Sequence, residues 1–207
     1  MDEIILVVAP CPPNAYVESY ADLPRTPEQI ADEVVRSWQA GAALAHLHVL
    51  DEQGRPTQDL AAFRRTIALI RQRCDIIIEG STGGTAPVSA AERSVALQAD
   101  IEMASLNPGS VNFAHLAYVN SPQDIDYWVR EMHRRTVKPD IAVFDSSWIA
   151  NTIPYIEKGL IAQPAFYSLV LGQVGAVPAT PRHLTFLVES LPPGSFGSRV
   201  SPLIDRL

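Results

Sequence analysis

The chain has 207 residues and a formal net charge of −7, with 47% hydrophobic and 19% charged residues. That acidic balance leaves no basic footprint for a nucleic-acid backbone, and no apolar run approaches the ~20 residues that span a bilayer. Two cysteines, Cys11 and Cys74, make no disulfide framework, and the opening MDEIILVVAP lacks a signal peptide's cationic flank, so a soluble cytoplasmic protein with one substantial core is expected.

In chain order, IILVVAP (4–10) reads as a buried strand because its aliphatics are continuous and β-branched. TPEQIADEVVRSWQAG (26–41) reads as a helix, with Thr26 to cap it, Pro27 at its first position and Gly41 to end it. Ile30, Val34 and Trp38 fall on one face of that helix. The alternation then repeats through strand 43–50, helix 59–74, strand 75–82, helix 89–99 and strand 101–107. Helix 121–136 follows, with Ile125, Trp128, Val129 and Met132 on one face, then strand 140–147 and helix 148–160. Strand 165–172 and helix 180–191 complete six units, with the start of a seventh strand in GSFGSRV (194–200). Such alternation implies parallel strands with crossover helices, either an open sheet or a barrel. APCPPNAY, after the first strand, holds no glycine, which argues against a dinucleotide-binding sheet.

In both architectures the chemistry gathers at the carboxyl ends of the strands. Here those ends supply Cys11 with Asn14 close behind, His46 and His48, Ser81 and Thr82 in STGG, Ser105 and Asn107, and Asp145. This is a hydroxyl-rich rim with two imidazoles, suited to a divalent metal and an oxygen-rich small molecule. His46 and His48, at i and i+2, share one face of a strand; the spacing alone fits metal ligands or packed core histidines equally. A catalytic zinc needs about three protein ligands, and His115, His133 and His183 sit in a loop or on helices. Glu79 shares a strand face with Ser81, as a ligand or as a hydrogen-bonded carboxylate. STGG makes either an anion-binding nest or a plain turn. Cys11, with no histidine visibly paired to it, reads as an inert thiol.

Five segments carry more than their spacing: LPRTPEQIADEVVRSWQAGAALAHLHVLDEQGRPTQD, STGG, IEMASLNPGSVNF, KPDIAVFDSS and LVLGQVGAVPATPRHLTFLVESLPPGS. In this order they resemble the β-keto acid cleavage enzymes, of which the 3-keto-5-aminohexanoate cleavage enzyme is the best-known type, from about residue 4 to about residue 198. The resemblance implies a (β/α)8 TIM barrel, incomplete here at about six units, as a single domain over residues 1–207. It implies a divalent metal, usually zinc, and a retro-Claisen exchange in which a β-keto acid and acetyl-CoA give acetoacetate and a new acyl-CoA. By the same resemblance His46 and His48 match the metal ligands, and Asn14, Ser81 and Ser105 fall at substrate-binding positions. Asn14 stands where the lysine-fermentation type has a glutamate that recognises an amino group, which disfavours an amino-bearing substrate.

Two departures stand out. HLHVLD places Leu50 where the family has arginine, and the final SPLIDRL does not match. The family's catalytic arginine and its Glu-Asp pair, third metal ligand and general base, are thus expected beyond Leu207. The sequence therefore predicts an impaired enzyme, with Glu79 the first candidate for a substitute ligand. Open sheet edges predict a homo-oligomer. Rival expectations are a non-catalytic scaffold built on the barrel, and another metal-dependent barrel enzyme such as an aldolase or hydrolase.

Overall fold

The structure is a computed structural model and describes residues 5–11, 23–51, 53, 55–84, 88–113 and 116–200. The chain forms two compact units, Met1–Gly83 with Ala91–Ala104, and Gly84–Ala90 with Ser105–Leu207.

In the first unit, strand β1 (Val7–Val8) pairs in parallel with β2 (Leu44–Leu47), and β2 with β5 (Ile77–Gly80). Strand β5 pairs in parallel with the start of β6 (Met103–Leu106), which runs on into the second unit. Helix α1 (Pro27–Gln39) is started by the Thr26 hydroxyl, which accepts the Gln29 N–H at 3.2 Å, and by Pro27 in its first turn. Its core stripe is Ile30, Ala31, Val34 and Val35. Trp38, expected on that stripe, is instead 38% exposed, because it sits in the last turn, beyond the packed length of the helix. Helix α2 (Leu60–Arg71), capped by Asp59, buries Phe63, Thr66, Ile67 and Ile70. Phe63, Ile67 and Ile70 join Leu47, Val49, Leu50 and Ile78 in one apolar core.

Two local features of this unit were not expected. The strand foreseen over 43–50 breaks at His48; β3 (Val49–Leu50) then turns back as an antiparallel hairpin with β4 (Pro56–Thr57). Asp51 closes that turn, its Oδ1 accepting the Gln53 and Arg55 N–H groups at 2.9 and 2.8 Å. The helix foreseen over 89–99 is only one turn, α3 (Ala90–Arg93), followed by a 3₁₀ turn over Val95–Gln98. Ser94 sits at the break and donates its hydroxyl to the Ala91 carbonyl at 3.1 Å, a local bond that competes with helix continuation.

In the second unit, β9 (Lys138–Val143) pairs in parallel with β10 (Phe166–Val170), and β10 with β11 (Phe196–Val200), the seventh strand. A further hairpin, β7 (Val111–Phe113) with β8 (Leu116–Tyr118), follows β6. Helix α4 (Pro122–Arg135) opens with a capping box between Ser121 and Asp124 and buries Ile125, Trp128, Val129 and Met132, the foreseen face. Helices α5 (Ser146–Glu157) and α6 (Pro181–Glu189) follow β9 and β10.

Parallel strands each followed by a helical segment, six times among the described residues and then a seventh strand, make the fold class (β/α)8, incomplete at this length. Among the described residues no helix is long and apolar enough to cross a membrane.

Candidate active site

Strand β2 is buried on both faces, and its pleat puts Leu44 and His46 on one face and Ala45 and Leu47 on the other. His46 lies directly across from Glu79 in the parallel register of β2 with β5. That register explains the contact that follows. The His46 Nδ1 is 2.7 Å from Glu79 Oε1, and the Glu79 side chain is 1% exposed. On the other side of the ring, His46 Nε2 lies 3.2 Å from the Nε2 of His48, with the two rings at 64°. The expected same-face histidine pair is therefore formed, and it converges through the Nε2 atoms.

Burial works against a charged His46, but the Glu79 carboxylate, through its charge and its hydrogen bond, outweighs that and holds the imidazole above its ordinary pKa. His48 is pushed down from 6.5 to about 3, chiefly by burial and further by the neighbouring charge on His46. His48 is thus a neutral donor of a lone pair, the form in which imidazole binds a metal.

Two nitrogens bound to one tetrahedral zinc at about 2.0–2.1 Å stand about 3.3 Å apart. The observed 3.2 Å between the two Nε2 atoms fits that spacing, so the residues present fit a shared divalent ion. Among the described residues no group of three or more His, Cys, Asp or Glu side chains is assembled as a complete site. Glu79, the candidate substitute ligand, meets His46 at Nδ1, on the ring edge away from His48. Its Oε2 is buried with no hydrogen-bond partner among the described residues.

Ser81 follows Glu79 on the same face and is buried; its Oγ accepts the Gly83 N–H at 3.0 Å. The STGG turn has two further fastenings. The Gln58 side-chain amide donates to the Gly83 carbonyl at 2.7 Å, and Arg93 Nε donates to the Thr82 carbonyl at 3.2 Å. Gln58 was not foreseen. Its only sequence signal was its place at the end of GRPTQD, and the hairpin of β3 and β4 is what brings it back to the turn.

The remaining rim residues divide. Ser105 is buried on β6 and belongs to the second unit. Asn14 and His115 lie outside the described residues. Asp145 is a helix cap, its carboxylate accepting the Ser147 N–H at 2.9 Å at the start of α5. Cys11 is buried, with its thiol donating to the Pro24 carbonyl at 3.4 Å, and burial pushes its pKa up to about 11. That is an inert thiol. Leu50 is buried in the core of the first unit.

The sequence model of the β-keto acid cleavage enzymes matches residues 3–200. The chain belongs to the β-keto acid cleavage enzyme family. Within it, the 3-keto-5-aminohexanoate cleavage enzyme of Fusobacterium nucleatum is 38% identical over 197 residues, 94% of this chain and 72% of that protein. The 3,5-dioxohexanoate:acetyl-CoA acetone transferase of Paraburkholderia graminis is 30% identical, over 87% of this chain and 68% of that one. Among solved structures, a ternary complex of ObcA with a C4-CoA adduct and oxalate matches with a TM-score of 0.64 and 25% identity, over 73% of this chain and 38% of that chain. The family's chain here thus spans about seven tenths of the curated relatives and just over a third of the ObcA chain.

Proposed function

We propose that this chain carries the metal- and substrate-binding part of an acetyl-CoA-dependent β-keto acid cleavage enzyme. The supporting observation is the convergence of His46 and His48 through Nε2 atoms 3.2 Å apart, in a chain of this family. In the proposed reaction the bond between C2 and C3 of a β-keto acid breaks and a bond forms between C2 and the acetyl carbonyl carbon. The CoA thiolate passes to the released acyl group, so acetoacetate and a new acyl-CoA balance the two reactants.

His46 and His48 would hold zinc or another divalent ion. That ion would supply Lewis-acid polarisation of the substrate's carbonyl oxygens. Ser81 spends a lone pair on the Gly83 N–H and keeps its own hydrogen to donate to a substrate oxygen. Gln58 and Arg93 keep the turn that carries Ser81 in one conformation, so the hydroxyl is already oriented when substrate arrives. The family resemblance marks Asn14 and Ser105 as further substrate-binding positions. An uncharged amide at Asn14 favours a keto acid without an amino group. The third metal ligand and the general base belong to neither the histidine pair nor the STGG turn.

Self-association is part of the same reading. The first unit exposes Ile5, Leu6 and Val7 at its edge strand, and the second exposes Phe186, Val188 and Phe196. Light scattering on the purified chain tests this, and a monodisperse monomer rejects it.

The reaction is tested by incubating the zinc-loaded protein with carbon-13 acetyl-CoA and a panel of β-keto acids, with and without amino groups. Labelled acetoacetate together with a new acyl-CoA is the expected product pair. Hydrolysis or aldol cleavage products without acyl-CoA would replace this reading with a different metal-dependent barrel chemistry.

A further inference from the structure

The contact between Glu79 and His46 carries more than a match of register. A carboxylate only accepts hydrogen bonds, so the 2.7 Å contact with Glu79 Oε1 requires the hydrogen to sit on His46 Nδ1. In a neutral imidazole that leaves the lone pair on Nε2, the atom facing His48. We propose that Glu79 is the positioning residue of the histidine pair: by holding the Nδ1 hydrogen, it fixes the tautomer and ring direction of His46. Nε2 is then aimed at the point it shares with His48. The consequence for a metal rests on the function proposed above; the tautomer does not.

Three observations support this role over that of a substitute ligand. Glu79 is 1% exposed and across the strand register from His46, so the pair is built into the sheet rather than formed by flexible side chains. Its Oε2 is already buried without a partner among the described residues. Losing the His46 contact would leave both oxygens orphaned in the core, a strong restraint on the carboxylate. Finally, Oε1 lies at the Nδ1 edge, whereas a metal shared with His48 lies off Nε2, and these two directions diverge across the ring.

The arrangement has a further consequence. Two bare lone pairs 3.2 Å apart would repel, so without metal one hydrogen lies between the two Nε2 atoms, supplied by either ring. An ion bound there displaces that hydrogen. Glu79 keeps the Nδ1 hydrogen throughout and so leaves His46 ready in its binding tautomer. Partners of this kind act on metal affinity through ligand orientation and basicity.

The test is histidine ring nitrogen-15 spectroscopy on the metal-free protein at alkaline pH, where both imidazoles are neutral, alongside zinc titration. Wild-type His46 is expected as the Nδ1–H tautomer, whereas free histidine favours Nε2–H. Glu79→Ala should return His46 to the Nε2–H form and weaken zinc binding about 10–100-fold. Glu79→Gln, whose amide oxygen still accepts from Nδ1, should retain the tautomer and most of the affinity. An Nε2–H His46 in the wild type overturns the proposal without any variant. A folded Glu79→Ala protein with tautomer and affinity unchanged does so as well. If wild type shows the Nδ1–H tautomer but binds no zinc, the Glu79 assignment stands and the metal reading falls.

Discussion

His46 Nε2 and His48 Nε2 face each other at 3.2 Å, although His46 lies within β2 and His48 is the residue at which the strand breaks. The break matters because β3 turns away into its hairpin while the His48 ring stays with His46. Substituting either histidine with alanine should therefore remove half of a two-nitrogen chelate. Calorimetric titration with zinc should show a larger loss for His46→Ala or His48→Ala than the about 10–100-fold expected for losing an outer partner. Equal zinc affinity in wild type and in the double variant would locate the metal elsewhere.

The same pair makes stability depend on pH in two adjoining windows. His48 takes up a proton at about 3 when folded but at 6.5 when unfolded, so the unfolded chain binds more protons between those values. Stability from His48 is therefore lost as pH falls from 6.5 toward 3. His46, with its pKa raised, contributes stability that is full below 6.5 and fades as pH rises through its folded value. Urea unfolding from pH 6.5 down to about 5, above the ordinary carboxylate range, should show falling stability in wild type. His48→Asn should flatten that slope.

Gly80 links Glu79 to Ser81, and its lack of a side chain is a packing requirement. A Cβ there would lie 2.7 Å from the Ala96 Cβ and 3.0 Å from Ile101 Cδ1. Gly80→Ala should destabilise by about 1–3 kcal/mol through overpacking. Ala96→Gly in the same chain should restore part of that loss, as read from thermal unfolding of the single and double variants. An additive pair of effects would mean that the strand relieves the clash some other way.

Gln58→Leu keeps the side-chain bulk but loses the amide that donates to the Gly83 carbonyl at 2.7 Å. Faster hydrogen exchange at residues 82–84 is expected, together with weaker binding of a β-keto acid and little change in zinc affinity. Unchanged exchange would show that Ser81 and Arg93 suffice to hold the turn.

Much of this fold was legible in the chain because its signals are local. Thr26, Ser121 and Asp59 start helices by accepting nearby N–H groups, and the α4 stripe of Ile125, Trp128, Val129 and Met132 follows from helical period alone. What local reasoning missed were competing local bonds and non-local returns. Asp51 closes a hairpin inside a run that reads as one strand, and Ser94 interrupts a run that reads as one helix. Asp145, read as a rim carboxylate, is spent on a helix start. Each of these residues has two uses for one side chain, and sequence spacing does not choose between them.

By itself the sequence determined the βα alternation, the family, and that His46 and His48 point to the same side. Periodicity and ordered motifs are properties of the chain read along its length. Only the tertiary structure decided that Glu79 lies across from His46, and which of the two ring nitrogens each neighbour meets. The physical reason is register. Residues 33 positions apart meet only through the pairing of β2 with β5. A slip of one residue in that pairing would turn Glu79 to the opposite face.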